Sequence, residues 1–242
     1  LSSATRRMTC RTSTGASPMR VKIFASLLLL ATLTACDTAR PLHSIREKGD
    51  YNLEVERYDE ARAEYREYLV RKPEDIEVRY RYAKALLGAG ETSLAREQFS
   101  LLVDLAPTDD RFIDGHVESL YAAGENADLA AFLARMCSQR GSVRDWIRQA
   151  DLQRKTGDLD GAKASLLTAA RFDAGRSTLP WIAQADLFAS IGDKQSERAA
   201  IANALFISPG HPALSERFRK LGGIPGPTAG VRPAEYTEPM KK

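Results

Sequence analysis

The chain has 242 residues, of which 43% are hydrophobic and 28% are charged, an ordinary globular composition with room for one or two cored domains. The formal net charge of +3 comes from the first 35 residues, which hold five basic and no acidic side chains. Without them, 30 basic residues face 32 acidic ones, and no overall attraction to nucleic acid is left. Three scattered cysteines with no C-x-x-C pair exclude a disulfide framework and a cysteine-based metal site.

The N-terminal stretch has the three parts of a secretory signal. Arg20 and Lys22 precede an apolar run over residues 23–33, and small residues then lead to Cys36. The apolar run is too short to span a bilayer comfortably. We therefore expect residues 19–35 to be a signal peptide.

The residues before the cysteine, Leu33-Thr34-Ala35-Cys36, resemble the lipobox of bacterial lipoproteins. The resemblance implies cleavage before Cys36 and attachment of diacylglycerol and an acyl chain, which hold a protein on a membrane through their buried methylenes. Residues 36–41 would then be the lipidated cysteine and its linker. A plain signal peptide with an accidental cysteine, or an uncleaved N-terminal helix, is the alternative.

Two features near this leader bear on its start site and on the membrane to which the protein would be anchored. The leader fits best when it begins at Met19, so we expect residues 1–18 to come from a start site placed too early; a basic targeting extension is the other possibility. Asp37 follows the cysteine and resembles an inner-membrane retention signal of enterobacterial lipoproteins. Other lineages follow other rules, so the choice between inner and outer membrane stays open.

An internal repeat occupies most of the remaining chain. Four glycines follow similar phrases at spacings of 34, 33 and 35 residues, and each separates two apolar helical stretches. Glycine adopts a left-handed turn at low cost, which lets one helix fold back on another. Prolines recur with a similar period, so they mark helix ends. These residues are Gly90, Gly124, Gly157 and Gly192, and Pro73, Pro107 and Pro209.

A 34-residue period with these marks resembles the tetratricopeptide repeat. The resemblance implies an all-α, right-handed α-solenoid of about five helix-turn-helix repeats over residues 42–211. Small residues at repeat position 20, where helices approach closely, include Ala61, Ala95 and Ala162, whereas Leu129 and Glu197 depart from the pattern. The predicted units are 42–75, 76–109, 110–143, 143–176 and 178–211.

Two segments follow the array. Residues 212–221 place Leu214, Phe218 and Leu221 on one helix face, which predicts a short helix that caps the last repeat. Residues 222–242 are rich in glycine and proline and show no apolar period, so we predict a disordered tail.

The sequence predicts no enzyme. His43, His116 and His211 are far apart, and no pair has the spacing of helical metal ligands. His116 falls at a packing position of its repeat, and Cys137 lies in an apolar helical stretch, so both are expected to be buried. No catalytic residue, metal or cofactor is predicted, apart from the lipid on Cys36.

Partner binding is expected on the first helix of each pair, which lines the concave face of arrays that this chain resembles. Arginine and tyrosine there can anchor a peptide through bidentate hydrogen bonds and packed rings. The alternative is a solvated face of intrahelical ion pairs, and the pattern does not choose between them. The asparagine-and-lysine carboxylate clamp of cytosolic adaptors is not matched. The predicted groove residues are Tyr80, Arg81, Lys84, Leu87, Arg111, Asp114, Glu118, Tyr121, Arg144, Ile147, Arg148, Asp151, Arg154 and Asp186.

A lipobox followed by such an array is similar to lipoproteins that help to assemble pili and secretins, notably in the Tad (Flp) and type IV pilus systems, and to an accessory of outer-membrane β-barrel assembly. The resemblance implies a lipid-anchored scaffold of the bacterial envelope, on its extracytoplasmic or periplasmic face, whose partners are other proteins. A regulatory or catalytic subunit acting on cell-wall material is one alternative. A cytosolic adaptor or nucleic-acid binder is another, if the leader is not cleaved.

Overall fold

The computed structural model describes residues 40–238, so the predicted leader, the proposed early start and the lipidation of Cys36 lie outside the described residues. Eleven helices and no strand are found in residues 40–238, which confirms the all-α prediction. They are α1 (Leu42–Glu54), α2 (Tyr58–Arg71), α3 (Ile76–Gly88), α4 (Thr92–Leu105), α5 (Asp110–Ala122), α6 (Asn126–Gln139), α7 (Val143–Lys155), α8 (Leu159–Asp173), α9 (Leu179–Ser190), α10 (Lys194–Ile207) and α11 (Pro212–Lys220).

The first ten helices form five consecutive pairs, one in each predicted unit. Gly90, Gly124, Gly157 and Gly192 follow the first helices of pairs two to five and have φ between +73° and +85°. Only glycine adopts this conformation without strain, so it reverses the chain at low cost. In the first pair Glu56, with φ of +59°, takes this place.

Neighbouring pairs stack through small and apolar side chains. The first helices lie side by side, α1 against α3, α3 against α5 and α7 against α9. Ala61, Ala95 and Ala162 are fully buried at the points of close approach. Because no single hairpin can cover its own apolar stripe, burial between neighbours stabilises the array.

The third pair is packed more loosely than the others. Its helices α5 and α6 contact each other less extensively than the helices of any other pair. Leu129 is buried where three other pairs have alanine, so a larger side chain occupies the point of close approach in this pair. On the other side of α5, a Cβ at Gly115 would lie 2.1 Å from the Phe99 ring, so glycine permits the contact with α4.

The two ends of the array differ in how they finish. The short helix α11 buries Leu214 and Phe218 against the last pair, as a cap would. The prediction of a disordered tail over residues 222–242 is wrong for the part of it that packs against the array. Residues 229–237, here called the C-terminal strap, fold back onto the array and pack against it. Glycine and proline prevent a helix there, but they do not prevent an extended segment from packing.

Candidate functional site

Ion pairs join the first helices of successive pairs. In each case an acidic residue on one first helix binds an arginine 31 or 34 residues later in the chain, on the next first helix or on the cap. These contacts therefore run across the array and not only along single helices. The pairs are Asp50–Arg81 at 2.5 Å, Glu77–Arg111 at 3.1 Å, Asp114–Arg148 at 2.6 Å and Asp186–Arg217 at 2.6 Å.

Arg148 is the most enclosed of these arginines, with a side chain that is only 9% exposed. Its guanidinium binds Asp114 at 2.6 Å, Asp110 at 3.0 Å and the fully buried Asp145 at 3.1 Å. Burial alone would raise the pKa of Asp145, but hydrogen bonds from Arg140 and Ser142 outweigh it and hold that pKa below its usual value. Asp145 is therefore a charged structural residue at the start of α7.

The predicted groove arginines are thus mostly committed within the protein. Arg81 binds Asp50 and Glu77, and Arg111 binds Glu77 and Asp109. Arg148, one of the predicted groove residues, is surrounded by three carboxylates and is not free to anchor a partner in this structure. The repeat periodicity predicts which face of a helix a residue lies on. It does not predict which side chains of the neighbouring repeat contact that residue.

The aromatic groove residues are also partly occupied. The half-buried Tyr80 ring packs against Phe112 at 5.5 Å and Phe99 at 6.1 Å between centroids. The Arg111 guanidinium lies 5.2 Å from the centroid of that Tyr80 ring. The exposed Tyr121 ring has the Lys155 ammonium 4.3 Å from its centroid. These rings contribute cation–π contacts inside the array.

The remaining predicted residues lie on the first helices α3, α5 and α7. Lys84 and Glu118 line a cleft of about 330 Å³ together with Leu87. Arg144 is exposed and binds Asp110 at 3.3 Å. Asp151 binds Arg154 at 2.6 Å within α7.

One junction between pairs differs from the others. In residues 40–238, no ion pair joins the fourth pair, α7 and α8, to the fifth, α9 and α10. At this junction the structure has a cleft of about 420 Å³ between α7 and α9, here called the α7–α9 cleft. Here α7 and α9 lie side by side over an apolar surface that no ion pair of the described residues crosses.

The α7–α9 cleft combines an apolar floor with a polar rim. Such a combination suits an apolar side chain of a partner whose main chain needs hydrogen-bond partners at the edge. Its volume is sufficient for a leucine or phenylalanine side chain. The floor consists of Ile147, Ala150, Leu166, Ala183 and Leu187, and the rim of Asp151, Arg154, Asp186 and Ser190.

The sequence located part of this cleft and missed the rest. Ile147, Asp151, Arg154 and Asp186 were predicted for the groove from their repeat positions, and the structure brings all four to the cleft. Ser190 was missed because it lies in the last turn of α9, beyond the positions that the repeat pattern assigns to the groove. The absence of an ion pair at this junction leaves no local sequence signal.

The residues considered for catalysis have packing roles. His116 is nearly buried, with its ring edge-on to Phe132 at 4.8 Å, and burial lowers its pKa. Burial raises the pKa of Cys137 to about 11, so its thiol is protonated at neutral pH. Within residues 40–238, no group of three or more His, Cys, Asp or Glu side chains is placed to hold a metal ion.

The comparisons with known proteins agree with this architecture. Residues 52–114 match the family model of the tetratricopeptide repeat. A thermophilic repeat protein of this kind from Thermus thermophilus has a similar structure, with a TM-score of 0.51 and 21% identity over 75% of this chain and 98% of that one. A tetratricopeptide repeat protein from Parabacteroides merdae gives a TM-score of 0.50 and 13% identity over 85% and 80% of the two chains. No curated protein sequence matches the chain.

These likenesses establish the fold, a solenoid of tetratricopeptide-type helix pairs. Stacked helix pairs of this kind form extended surfaces to which other proteins can bind. No helix within residues 40–238 has the length and apolar character needed to cross a bilayer. The specific partner is a separate question, since fold alone does not determine function.

Proposed function

We propose that this tetratricopeptide-repeat protein is a lipid-anchored interaction scaffold of the bacterial cell envelope, and that it holds an extended segment of a partner protein in the α7–α9 cleft. The α7–α9 cleft is the observation that carries the proposal. It is an apolar concavity on the first-helix face, at a junction that the neighbouring ion pairs leave open. A partner that contributes an apolar side chain would bury surface there without first breaking a charge network.

The leader is what supports the proposed anchor. The proposed lipid on Cys36 would lie four residues before Arg40, and Arg40 is held to the second helix of the first pair. Its guanidinium binds Glu64 at 2.8 Å and also contacts Glu67, while Arg71 binds its carbonyl at 2.5 Å. A chain cleaved before Cys36 would thus present the array close to the membrane on which its acyl chains lie.

The expected partners are components of a larger envelope complex, such as a pilus, a secretion system or the outer-membrane assembly machinery. The leader and the array together support this, because a lipid anchor with a peptide-holding surface can keep an assembling component next to the membrane. Once the leader is removed, the formal charge of about −2 gives no reason to expect nucleic acid as a partner.

We expect Cys36→Ala to release the protein from membranes. Without the thiol no diacylglycerol can be attached, and the stable anchoring that multiple acyl chains provide is lost. Fractionation of cells that express each form measures this, and Cys137→Ala is the control because that thiol is buried in the array. Equal sedimentation of the Cys36→Ala form with membranes would count against a lipid anchor.

We expect Ser190→Trp to weaken partner binding about tenfold, or about 1.4 kcal/mol, because an indole at the rim would fill the α7–α9 cleft. Ser190 is exposed, and its hydroxyl donates only to the Leu187 carbonyl at 2.6 Å, so the fold should tolerate the change. Quantitative co-purification with cross-linked envelope proteins measures the loss.

Ser138→Trp is a matched control for this change. Ser138 is also exposed in the last turn of its helix, and its hydroxyl donates to the Arg135 carbonyl at 2.9 Å. It lies on α6, outside the cleft. Partner recovery that is the same for both tryptophan variants and the unaltered protein would place the binding surface elsewhere.

A further inference from the structure

The C-terminal strap joins the same two pairs that form the α7–α9 cleft, and it does so through the second helices, α8 and α10. At one end, the Val231 N–H donates to the Ala202 carbonyl of α10 at 3.0 Å. At the other, the Thr237 N–H donates to the Ala174 carbonyl at the end of α8, at 3.3 Å. The strap therefore links the fifth pair to the fourth.

Close packing accompanies these hydrogen bonds. A Cβ at Gly230 would lie 2.7 Å from the backbone nitrogen and Cα of Phe206, so glycine alone allows the strap to touch α10. The Tyr236 ring packs edge-on against Phe206 with centroids 5.2 Å apart, and it also covers Gly175 in the α8–α9 turn. Between these contacts Pro233 is buried.

The other junctions between pairs have charged ties that this one lacks. Asp50–Arg81 and Arg62–Glu91 join the first pair to the second, whereas Glu77–Arg111 and Arg96–Glu125 join the second to the third. The third and fourth are joined by Arg140–Asp145 and Asp114–Arg148, and the fifth and the cap by Asp186–Arg217. Between the fourth and fifth pairs, in the described chain, the strap occupies the place of such a tie.

We propose that the C-terminal strap sets the opening of the α7–α9 cleft by holding the fourth and fifth helix pairs together through their second helices. This rests on the proposed function only in the sense that the cleft is the partner site. With the strap attached, the two pairs keep a fixed angle and the cleft keeps one width. With the strap released, the apolar contacts between the pairs and the hydrogen bond from the Gln184 amide to the Leu166 carbonyl are left to hold that angle, and α9 moves away from α7. Gly230 and Tyr236 are thus positioning residues for a site that they do not touch.

The test measures the cleft directly and needs no partner. Spin labels carried by unnatural amino acids at Thr156 and Ile191, the residues that follow the C-terminal ends of α7 and α9, report the distance across its mouth in the full chain by pulsed electron resonance. We expect a single narrow distribution for the unaltered strap. Gly230→Val, whose side chain cannot fit against Phe206, should broaden the distribution and shift it to longer distances.

Two matched controls separate this effect from a general disturbance of the tail. Gly226→Val changes a glycine just before the strap that has open space around it, and should leave the distribution unchanged. Tyr236→Phe retains the ring that packs on Phe206 and should behave like the unaltered chain, whereas Tyr236→Ser should broaden the distribution as Gly230→Val does.

An unchanged distribution in both Gly230→Val and Tyr236→Ser would overturn the proposal, and so would equal broadening in the two controls. Hydrogen exchange at the Val231 amide reports release of the strap in the same samples. Because these readouts involve no ligand, they stand even if no partner binds the cleft. A strap that controls the distance while Ser190→Trp leaves partner binding intact would refute the proposed function and keep this inference.

Discussion

Arginine in place of Ala95 is expected to lower the free energy of unfolding by about 4 kcal/mol, the largest effect that we predict for a single change. Ala95 is fully buried on α4, in the core cluster shared with α3, α5 and α6. A guanidinium there has neither room nor an acidic partner, so the charge would be desolvated without compensation. Thermal and denaturant unfolding, followed by helical circular dichroism, measure the loss.

Ala164→Arg is the control for this change. Ala164 is an exposed alanine inside α8, two positions after the buried Ala162, so an arginine there should change the free energy of unfolding by no more than about 0.5 kcal/mol. Equal melting temperatures for Ala95→Arg and Ala164→Arg would contradict the repeat phase that places Ala95 between helices.

Methionine in place of Arg148 is expected to lower the free energy of unfolding by about 3 kcal/mol, the cost typical of removing one partner of a buried ion pair. Methionine preserves the apolar stem but leaves the fully buried Asp145 without one of its two arginines, and it breaks the tie to Asp114 on α5. Equilibrium unfolding at neutral pH measures the change.

Arg144→Met serves as the comparison. Arg144 is one helical turn earlier on α7 and more than half exposed, and its one ion pair joins it to Asp110 at 3.3 Å. An exposed pair of this kind contributes at most about 1 kcal/mol. If Arg148→Met costs no more than Arg144→Met, the enclosed charge cluster does not stabilise the third and fourth pairs, and Arg148 would again be available to a partner.

The sequence was informative wherever the structure depends on local chain chemistry. Gly90 and the three glycines in phase with it need a left-handed conformation, and a helix cannot continue through them, so their spacing located the hairpins. Alanine at Ala61, Ala95 and Ala162 fixed which helix face touches a neighbour. Fold class follows from such features because each depends on one residue and its own backbone.

The sequence was less informative where a contact between segments that are far apart in the chain determines the structure. Arg148 and Asp114 lie 34 residues apart, and only their meeting across α5 and α7 turns a groove position into a structural one. The strap was missed for a similar reason, since the composition of the tail shows that it cannot be helical, whereas its packing depends on the groove beside Phe206. The α7–α9 cleft lies at the junction where no ion pair of residues 40–238 joins the two pairs, and no sequence motif marks such a junction.

These observations give the array two kinds of surface. Where acid–arginine pairs join neighbouring first helices, these side chains already bind one another, and a partner would have to displace them. At the α7–α9 junction the floor is apolar and the rim polar, so a partner gains buried surface at little electrostatic cost. We therefore expect binding to be concentrated at this junction and not spread along the groove.

Site-specific photo-cross-linking in cells tests this claim most directly. A photoreactive amino acid at Ser190, on the rim of the α7–α9 cleft, is compared with the same amino acid at Ser138 on α6. The account predicts discrete adducts with one or a few envelope proteins from position 190, and none of these from position 138. Identical adducts from both positions, or adducts from position 138 alone, would contradict it.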